Sequence, residues 1–110
     1  MAATHKLLSS GQLALDTPAS IGGPPSGKRW MVKTIVLHNV RAGDSVAEIF
    51  FDGDADANKL LKVTLQQDET FEWAVGHMLV LLASGADVLQ GNADYATAVT
   101  YHIFGAEETE

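Results

Sequence analysis

Three aspartates at alternate positions come closest to a metal site in this sequence. Asp52, Asp54 and Asp56 stand in the stretch "FDGDADANKL". Carboxylates spaced in this way beside a glycine could hold Ca²⁺, which takes its oxygen ligands from short loops. The same residue types are also typical of a solvated turn between two strands. The two interpretations predict different proteins, one that depends on a metal and one that does not.

The calcium interpretation fails against the helix–loop–helix pattern. That loop has glycine at its sixth position and a bidentate glutamate at its twelfth. Counted from Asp52, these positions are Ala57 and Val63. We therefore interpret the stretch as a turn in which Asp56 and Asn58 satisfy local backbone N–H groups. A weak cation site at the three aspartates, shared with a neighbouring subunit, stays open as the minor alternative.

A glycine-rich segment raises the possibility of phosphate binding. The segment "GGPPSGKR" has P-loop spacing at Gly22, Gly27 and Lys28. A P-loop directs consecutive backbone N–H groups at the phosphates, but the two prolines of this segment have no N–H to donate. Arg29 also replaces the hydroxyl that would bind Mg²⁺. The segment is predicted to be a turn that precedes a strand, without a nucleotide.

Neither the histidines nor the carboxylates are spaced for catalysis. Jelly-roll metalloenzymes place two histidines two residues apart on one strand, whereas the four histidines here are isolated: His5, His38, His77 and His102. The pattern GxSxG is absent, and spacing identifies no carboxylate pair. The sequence predicts no catalytic residue, no cofactor and a protein that is not an enzyme. A small metalloenzyme remains an alternative that bound transition metal would reveal.

Charge and composition narrow the range of partners. The 110 residues include 7 Lys and Arg against 14 Asp and Glu, a net charge of −7, and no cysteine. The basic residues are scattered along the chain, which argues against nucleic-acid binding. The longest apolar runs are shorter than the roughly 20 residues of a membrane span, so no membrane association is expected. The length predicts one domain with its own core.

The elements that must position these residues are predicted to be short β-strands. Apolar stretches with period-two alternation are separated by Gly, Asp, Asn and Pro. They predict an all-β fold, an antiparallel β-sandwich or jelly roll of about seven to nine strands. The expected strands cover residues 29–40, 45–52, 59–65, 70–75, 77–83, 87–93 and 95–105. We expect the first two strands to form a hairpin and the first strand to be buried on both faces.

The chain divides into four segments within the single domain. Residues 1–15 are predicted to be an N-terminal arm or edge strand, and residues 16–28, with all 3 prolines, a loop. Residues 29–105 form the sandwich core, and residues 106–110 form a frayed acidic tail. The arm is apolar but too short to fold alone, so we expect it to contact a neighbouring subunit.

Two adjacent aromatic residues raise the question of an interface. Phe50 and Phe51 must face opposite sides of one strand, so one of them points away from the core of the sheet. It is either a rim aromatic covered by the chain itself or part of a subunit contact, where aromatics are enriched. The interface candidates are Leu7, Leu8, Leu13, Leu15, Trp30, Phe50 and Phe51.

Several turn and strand features recur together between residues 24 and 104. A Pro-x-Gly-Lys turn precedes a strand that ends in an apolar residue and Asn, and "DAN" with a leucine and a "DET" turn follow. This pattern resembles a group of small tailed-phage virion proteins. Ala86 departs from it by separating the glycine and aspartate of one turn. The matching residues are Pro25, Gly27, Lys28, Ile35, Val36, Asn39, Asp56, Ala57, Asn58, Leu60, Asp68, Glu69, Thr70 and Gly85.

The resemblance implies a virion structural protein made in the host cytoplasm. A head decoration (cement) protein of this kind sits on the capsid surface as a trimer and bridges subunits of the major capsid protein, with no chemistry of its own. A tail or fibre component that binds other virion subunits is the alternative within this class. A carbohydrate- or receptor-binding module is the alternative from another class, with Trp30 or Trp73 as an exposed stacking platform.

Overall fold

Nine β-strands and one short 3₁₀ turn make up most of the chain. The computed structural model describes residues 4–53 and 55–110, and the side chains of all of these except residues 4, 5 and 76–78. The 3₁₀ turn is Asp56–Asn58, and no α-helix lies within these ranges. The strands are β1 (Thr4–Gln12), β2 (Ala14–Leu15), β3 (Ala19–Gly22), β4 (Lys28–Asn39), β5 (Ser45–Phe51), β6 (Lys59–Leu65), β7 (Thr70–Leu82), β8 (Leu89–Ala93) and β9 (Val99–Thr109).

The strands form two sheets in jelly-roll order. Sheet A has the order β1-β9-β4-β7, and sheet B has the order β2-β8-β5-β6, with β3 also paired to β8. The pairing is antiparallel except where the two residues of β2 lie beside β8. Apolar side chains from both sheets form one buried core. The predicted all-β sandwich or jelly roll is therefore confirmed.

Most loops cross from one sheet to the other. Among the described strands, β5 and β6 are the consecutive pair that hydrogen-bond to each other, on either side of the aspartate-rich loop. The hairpin predicted between β4 and β5 is wrong, because these strands lie in different sheets. The buried side chain of Asn39, at the end of β4, fixes the crossing. Its Nδ2 donates to the carbonyl of Gly43 at 2.8 Å, and its Oδ1 accepts from the N–H of Arg41 at 3.0 Å.

The same asparagine holds a second crossing loop at that end of the sandwich. Nδ2 of Asn39 also donates to the carbonyl oxygens of Leu65 at 2.9 Å and Gln66 at 3.0 Å. The hydroxyl of Ser45 donates to Oδ1 at 3.3 Å. Asn39 and Ser45 are both fully buried. We call this cluster the Asn39 corner, and it joins the β4–β5 loop to the β6–β7 loop.

A β-bulge at Lys33 changes which side chains of β4 face the core. Val32 pairs with Gly105 on β9, whereas Thr34 pairs with Phe104, so Lys33 is the extra residue. Side chains on the two sides of the bulge therefore face the same core although their spacing changes. The prediction that this strand is buried on both faces is wrong. Core-facing residues have even numbers before the bulge and odd numbers after it, and in the sequence this change looks like burial of both faces. The buried side chains of β4 are Trp30, Val32, Ile35, Leu37 and Asn39.

The neighbouring strand β7 has a longer irregularity, an excursion of several unpaired residues, opposite the bulge of β4. Residues 75–78 lie opposite the single residue Lys33 of β4. The strands predicted at 70–75 and 77–83 are consequently two halves of one strand that continues on both sides of this irregularity. His77 lies in the excursion, and its side chain is outside the described part of the structure.

Gly105 allows β9 to lie against the bulge. A Cβ atom at this position would overlap the carbonyl oxygen of Met31 and lie 3.0 Å from the Cα of Val32. Both are backbone atoms, so no side-chain rotation could make room. The identity of residue 105 is therefore set by the close approach of two backbones.

The expected loop and tail contain strands. The segment 16–28 includes β3, which pairs with β8 and places Ile21 in the core at 3% exposure. The prediction of a loop throughout this segment is therefore wrong. Residues 106–109 continue β9 beside β4, so the predicted frayed tail is also wrong there. The backbone pairing of β9 with β4 extends further toward the end of the chain than the acidic composition of residues 106–110 suggests.

Glutamates near the chain end are held by their own sheet. The indole N–H of Trp30 donates to Glu107 at 2.9 Å, and Lys6 pairs with the same carboxylate at 3.0 Å. The hydrogen bond from Trp30, and to a smaller extent Lys6, holds the pKa of Glu107 below its ordinary value. β1 thus lies at the edge of sheet A with a polar contact to β9 as well as backbone pairing.

Candidate interaction surface

The outer face of sheet A carries exposed apolar side chains. Paired residues on neighbouring strands point to the same side of a sheet, and so do residues two apart on one strand. The most exposed are Leu7 at 45%, Val80 at 42% and Phe104 at 40%. The surface, which we call the sheet A patch, consists of two adjacent rows, Leu7, Phe104, Thr34 and Ala74, then Met31 and Val80 beside the buried Ala106.

Charged residues border the sheet A patch: the Arg29–Glu108 ion pair forms the row beyond Met31, and the exposed Lys33 lies at the bulge. His102, Val36 and Glu72 form the next row of pairs on this face. The imidazole of His102 stacks on Phe104, with ring centroids 6.4 Å apart and planes inclined by 14°. Glu72 is the one carboxylate among the described side chains of these three rows. The paired side chains of the two patch rows are themselves uncharged, so covering those rows removes little charge hydration.

The outer face of sheet B is polar by comparison. Glu48 of β5 pairs with Lys59 of β6 at 2.5 Å and accepts from the amide of Asn92 at 3.4 Å. The ammonium of Lys59 also lies 5.6 Å from the ring centroid of Phe50. Phe50 is only 3% exposed and lies outside the apolar core cluster. It is therefore the aromatic that points away from the core, and its own chain covers it.

The Glu48–Lys59 pair makes stability depend on pH. The hydrogen bond from Lys59 is the main cause that holds the pKa of Glu48 below its ordinary value of 4.5. A lowered folded-state pKa stabilises the protein above the unfolded-state pKa, and this contribution is lost as the pH falls through the folded-state pKa. We expect Glu48→Gln to lower the urea midpoint at about pH 7 and to match the wild type near pH 3.

A matched substitution separates this pair from general charge effects. Glu72→Gln removes a carboxylate for which the structure gives no ion pair among the described residues. Its urea midpoint should follow that of the wild type at both pH values. A constant difference between Glu48→Gln and the wild type across this range would contradict the ion-pair explanation.

The interface candidates from the sequence are split between the core and the surface. Leu13 and Trp30 are buried in the core at 2% and 5% exposure, and Phe50 is covered as described. Leu8 and Phe51 are partly buried against the core. Leu7 at 45% and Leu15 at 49% are exposed. An intersubunit role for the first fifteen residues therefore stays a prediction that now depends on these two leucines.

The two tryptophans do not form an exposed platform. Trp30 is 5% exposed, with its N–H bonded to Glu107, and Trp73 packs partly buried against the core. The alternative in which Trp30 is a carbohydrate-stacking surface is therefore wrong. A stacking surface must leave one ring face open to the ligand.

The aspartate-rich loop is held together by bonds within the chain. Asp52 has a φ of 56°, and its carboxylate accepts from the N–H of Val88 at 2.7 Å. Burial is the main cause that raises the pKa of Asp52, and neighbouring Asp87 raises it further. Asn58 donates to the carbonyl of Phe51 at 3.0 Å, and the expectation that its side chain satisfies an N–H group stays a prediction.

Of the three candidate calcium ligands, Asp52 and Asp56 lie in the described part of the structure, so a cation site at all three stays a prediction. Asp56 is fully exposed and lies 3.5 Å from the ammonium of Lys59, and Asp54 is outside the described residues. Within the residues that are described, no three His, Cys, Asp or Glu side chains cluster in a way that could hold a metal.

The remaining motifs lie in strands and turns. Gly22 ends β3 and Lys28 begins β4, so the P-loop-like segment joins two strands. Among the histidines, Nδ1 of His38 lies 2.7 Å from the hydroxyl of Thr70. No cavity suited to a small molecule is found in the described part of the chain.

Sequence reasoning missed the central residues of the sheet A patch. Alternation in the last strand places Tyr101 and Ile103 in the core, and the same alternation puts His102 and Phe104 on the opposite face. That signal was present in the sequence. Val80 gave no such signal, because the excursion at residues 75–78 shifts the register of β7 before it.

The strand order defines the chain as a jelly-roll β-sandwich. No protein-family model and no curated protein matches the sequence. One similar solved structure is the Drosophila NLP core, from work on pentamer formation and histone binding, with 14% identity, a TM-score of 0.45, and 92% of this chain and 99% of that chain covered. Another is the coat protein of Tobacco streak virus, with 12% identity, a TM-score of 0.43, and 94% and 84% covered. Among the described residues, no helix has the length and hydropathy to span a membrane.

Proposed function

We propose that this chain is a non-enzymatic virion structural protein, a capsid decoration (cement) protein that forms a trimer and bridges subunits of the major capsid protein. The observation that carries the proposal is the sheet A patch, which exposes the apolar side chains of Leu7, Val80 and Phe104 on a protein whose net charge is −7. The resemblance of residues 24–104 to small tailed-phage virion proteins supports the choice of a virion. A tail or fibre position is the alternative within the same class.

The physical logic of such a role is repetition. A decoration protein contacts many equivalent positions on a symmetric shell, so modest contacts become strong binding through avidity. Side chains such as Val80 and Phe104 provide contact area with few rotatable bonds that must be ordered. Leu7 belongs both to this patch and to the N-terminal segment 1–15. The predicted arm and the exposed face of sheet A therefore form one continuous surface.

Co-sedimentation with virus particles tests the proposal directly. The protein is mixed separately with purified heads and purified tails of the parent virus, and its native mass is measured alone. Sedimentation with heads and a trimer mass would support the decoration role. Sedimentation with tails alone would move the protein to the alternative, and no sedimentation with either would overturn both.

A pair of substitutions tests whether the sheet A patch is the contact surface. Phe104→Gln should weaken binding to heads, or reduce trimer formation, by about tenfold or more, as loss of an aromatic anchor does. Leu60→Gln is the control, because Leu60 is 39% exposed, nearly equal to Phe104, but lies on β6 of sheet B. Equal losses in the two variants would contradict a specific role for this face.

A further inference from the structure

An arginine at one end of the sandwich is held in position by neutral groups. The guanidinium carbon of Arg41 lies 3.5 Å from the ring centroid of Tyr95. Its Nη1 donates to the carbonyl oxygen of Asp44 at 2.6 Å, and its backbone N–H donates to Asn39 at 3.0 Å. Stacking on one face and a bond at one edge restrict the rotation of this long side chain, so less entropy is lost when it binds.

The surroundings of this arginine are exposed and partly apolar. Val40 is 47% exposed and Tyr95 is 44% exposed. The N–H of Val40 donates to the carbonyl of Ala98 at 2.8 Å, which joins the loops before β5 and β9. We call Val40, Arg41 and Tyr95 the Arg41 surface. Tyrosine and arginine side by side are the residue types most enriched at protein contacts.

The charge on Arg41 is not neutralised by a carboxylate of the described chain. Lys6, Arg29 and Lys59 each form a salt bridge within the protein. Arg41 has no described carboxylate oxygen within salt-bridge distance, and Asp94 in the neighbouring loop uses its Oδ1 to accept from Val46. The guanidinium therefore keeps N–H donors that no described carboxylate uses and that a carboxylate from outside the chain can pair with.

We infer that the Arg41 surface binds a carboxylate side chain of a separate protein partner, with an apolar neighbour of that carboxylate packed on Val40 and the ring of Tyr95. A nucleic acid is a poor occupant, because it is held by several cations that contact successive phosphates and this surface offers one guanidinium. This surface is distinct from the sheet A patch, so the inference does not rest on the virion role.

Titration with two short peptides tests the inference by NMR. The probes are Ac-Leu-Glu-Leu-NH₂ and Ac-Leu-Gln-Leu-NH₂, which differ in one carboxylate. We expect the glutamate peptide to shift the amide signals of residues 40, 41 and 95 with a dissociation constant roughly in the millimolar range. The glutamine peptide should bind about tenfold more weakly or worse. Equal binding of the two peptides, or shifts confined to other regions, would overturn the inference.

Substitutions identify the groups responsible. Arg41→Lys keeps the charge but loses the planar fork, and Tyr95→Leu removes the ring that holds it; each should weaken binding of the glutamate peptide at least severalfold. Lys62→Gln, at an exposed cation on sheet B, should leave binding unchanged. Tyr95→Leu keeps every backbone bond of the loop, so it remains informative if Arg41→Lys unfolds.

A dilution series tests whether the occupant is a second copy of this chain. If the signals of residues 40, 41 and 95 shift with protein concentration alone, the surface binds a second copy, and the inference of a separate partner is overturned.

Discussion

Replacing Asn39 by alanine is expected to lower the free energy of unfolding by about 4 kcal/mol. The change removes a donor that serves the carbonyl oxygens of Gly43, Leu65 and Gln66, and an acceptor that serves Arg41. The Leu65 carbonyl is buried, so water cannot readily replace the lost bond. A buried group left without a partner loses its hydration without compensation, which is the larger part of the expected effect.

Asn39→Asp separates shape from hydrogen bonding. Aspartate has nearly the same size and keeps an acceptor for Arg41, but its carboxylate would face three carbonyl oxygens. We expect it to be at least as destabilising as alanine at about pH 7 and less so when acid protonates the carboxyl group. If Asn39→Asp were as stable as the wild type, the Asn39 corner would not depend on the donated bonds.

Urea unfolding provides the measurement, with Asn58→Ala as the matched control. Asn58 is also an asparagine that donates to a backbone carbonyl, but its side chain makes a single bond among the described residues, to Phe51, in a part-buried position. Its loss should lower stability by about 1 kcal/mol. Similar effects of the two alanine variants would show that the crossing loops are not held by the Asn39 side chain.

Gly105→Ala is the second change with a large expected effect, about 3 kcal/mol of lost stability. The added methyl group would overlap the carbonyl oxygen of Met31, a backbone atom at the bulge of β4. Relief requires that β9 and β4 separate, and these are the two central strands of sheet A. The buried side chains Ile35 and Ile103, which pair across these strands, would lose contact.

Gly27→Ala is the control for the general cost of replacing glycine. Gly27 has a φ of 77°, and a Cβ there would meet nothing within 4 Å. Its replacement should therefore cost only the backbone strain, about 1 kcal/mol. Thermal unfolding of both variants checks the prediction. A Gly105→Ala protein no less stable than Gly27→Ala would mean that the strands can separate at the bulge without losing core contacts.

The all-β sandwich could be predicted from the sequence because alternation and turn residues are local signals. Val99, Tyr101 and Ile103 mark the inner face of β9 in the sequence and are buried in the structure. The pairing of the strands could not be predicted in the same way. The loop "RAGD" has turn composition whether it closes a hairpin or crosses between sheets, and the choice depends on Asn39 meeting Leu65, 26 residues away.

The surfaces were less predictable than the fold. The adjacent pair Phe50 and Phe51 correctly predicted that one aromatic points away from the core. The sequence did not show that this residue is Phe50 or that Lys59 lies over its ring. The acidic composition of residues 106–110 concealed a strand, because Glu107 binds Trp30 and Lys6, which are far away in sequence. Arg41 and Tyr95 form a stack because the β4–β5 loop meets the β8–β9 loop, where the N–H of Val40 donates to the carbonyl of Ala98. Each miss concerns a contact between residues that are distant along the chain.

The position of β9 between β1 and β4 has a consequence for how the chain acquires its structure. Sheet A cannot be completed until residues 99–109 have been synthesised, since β1 pairs in this sheet only with β9. With β5–β6 as the described hairpin between consecutive strands, few local pairings can form early, and non-local pairing slows folding toward the millisecond-to-second range. During synthesis, a ribosome-bound chain that ends before β9 would expose the apolar inner faces of both sheets. It would depend on chaperones or rapid completion to escape aggregation.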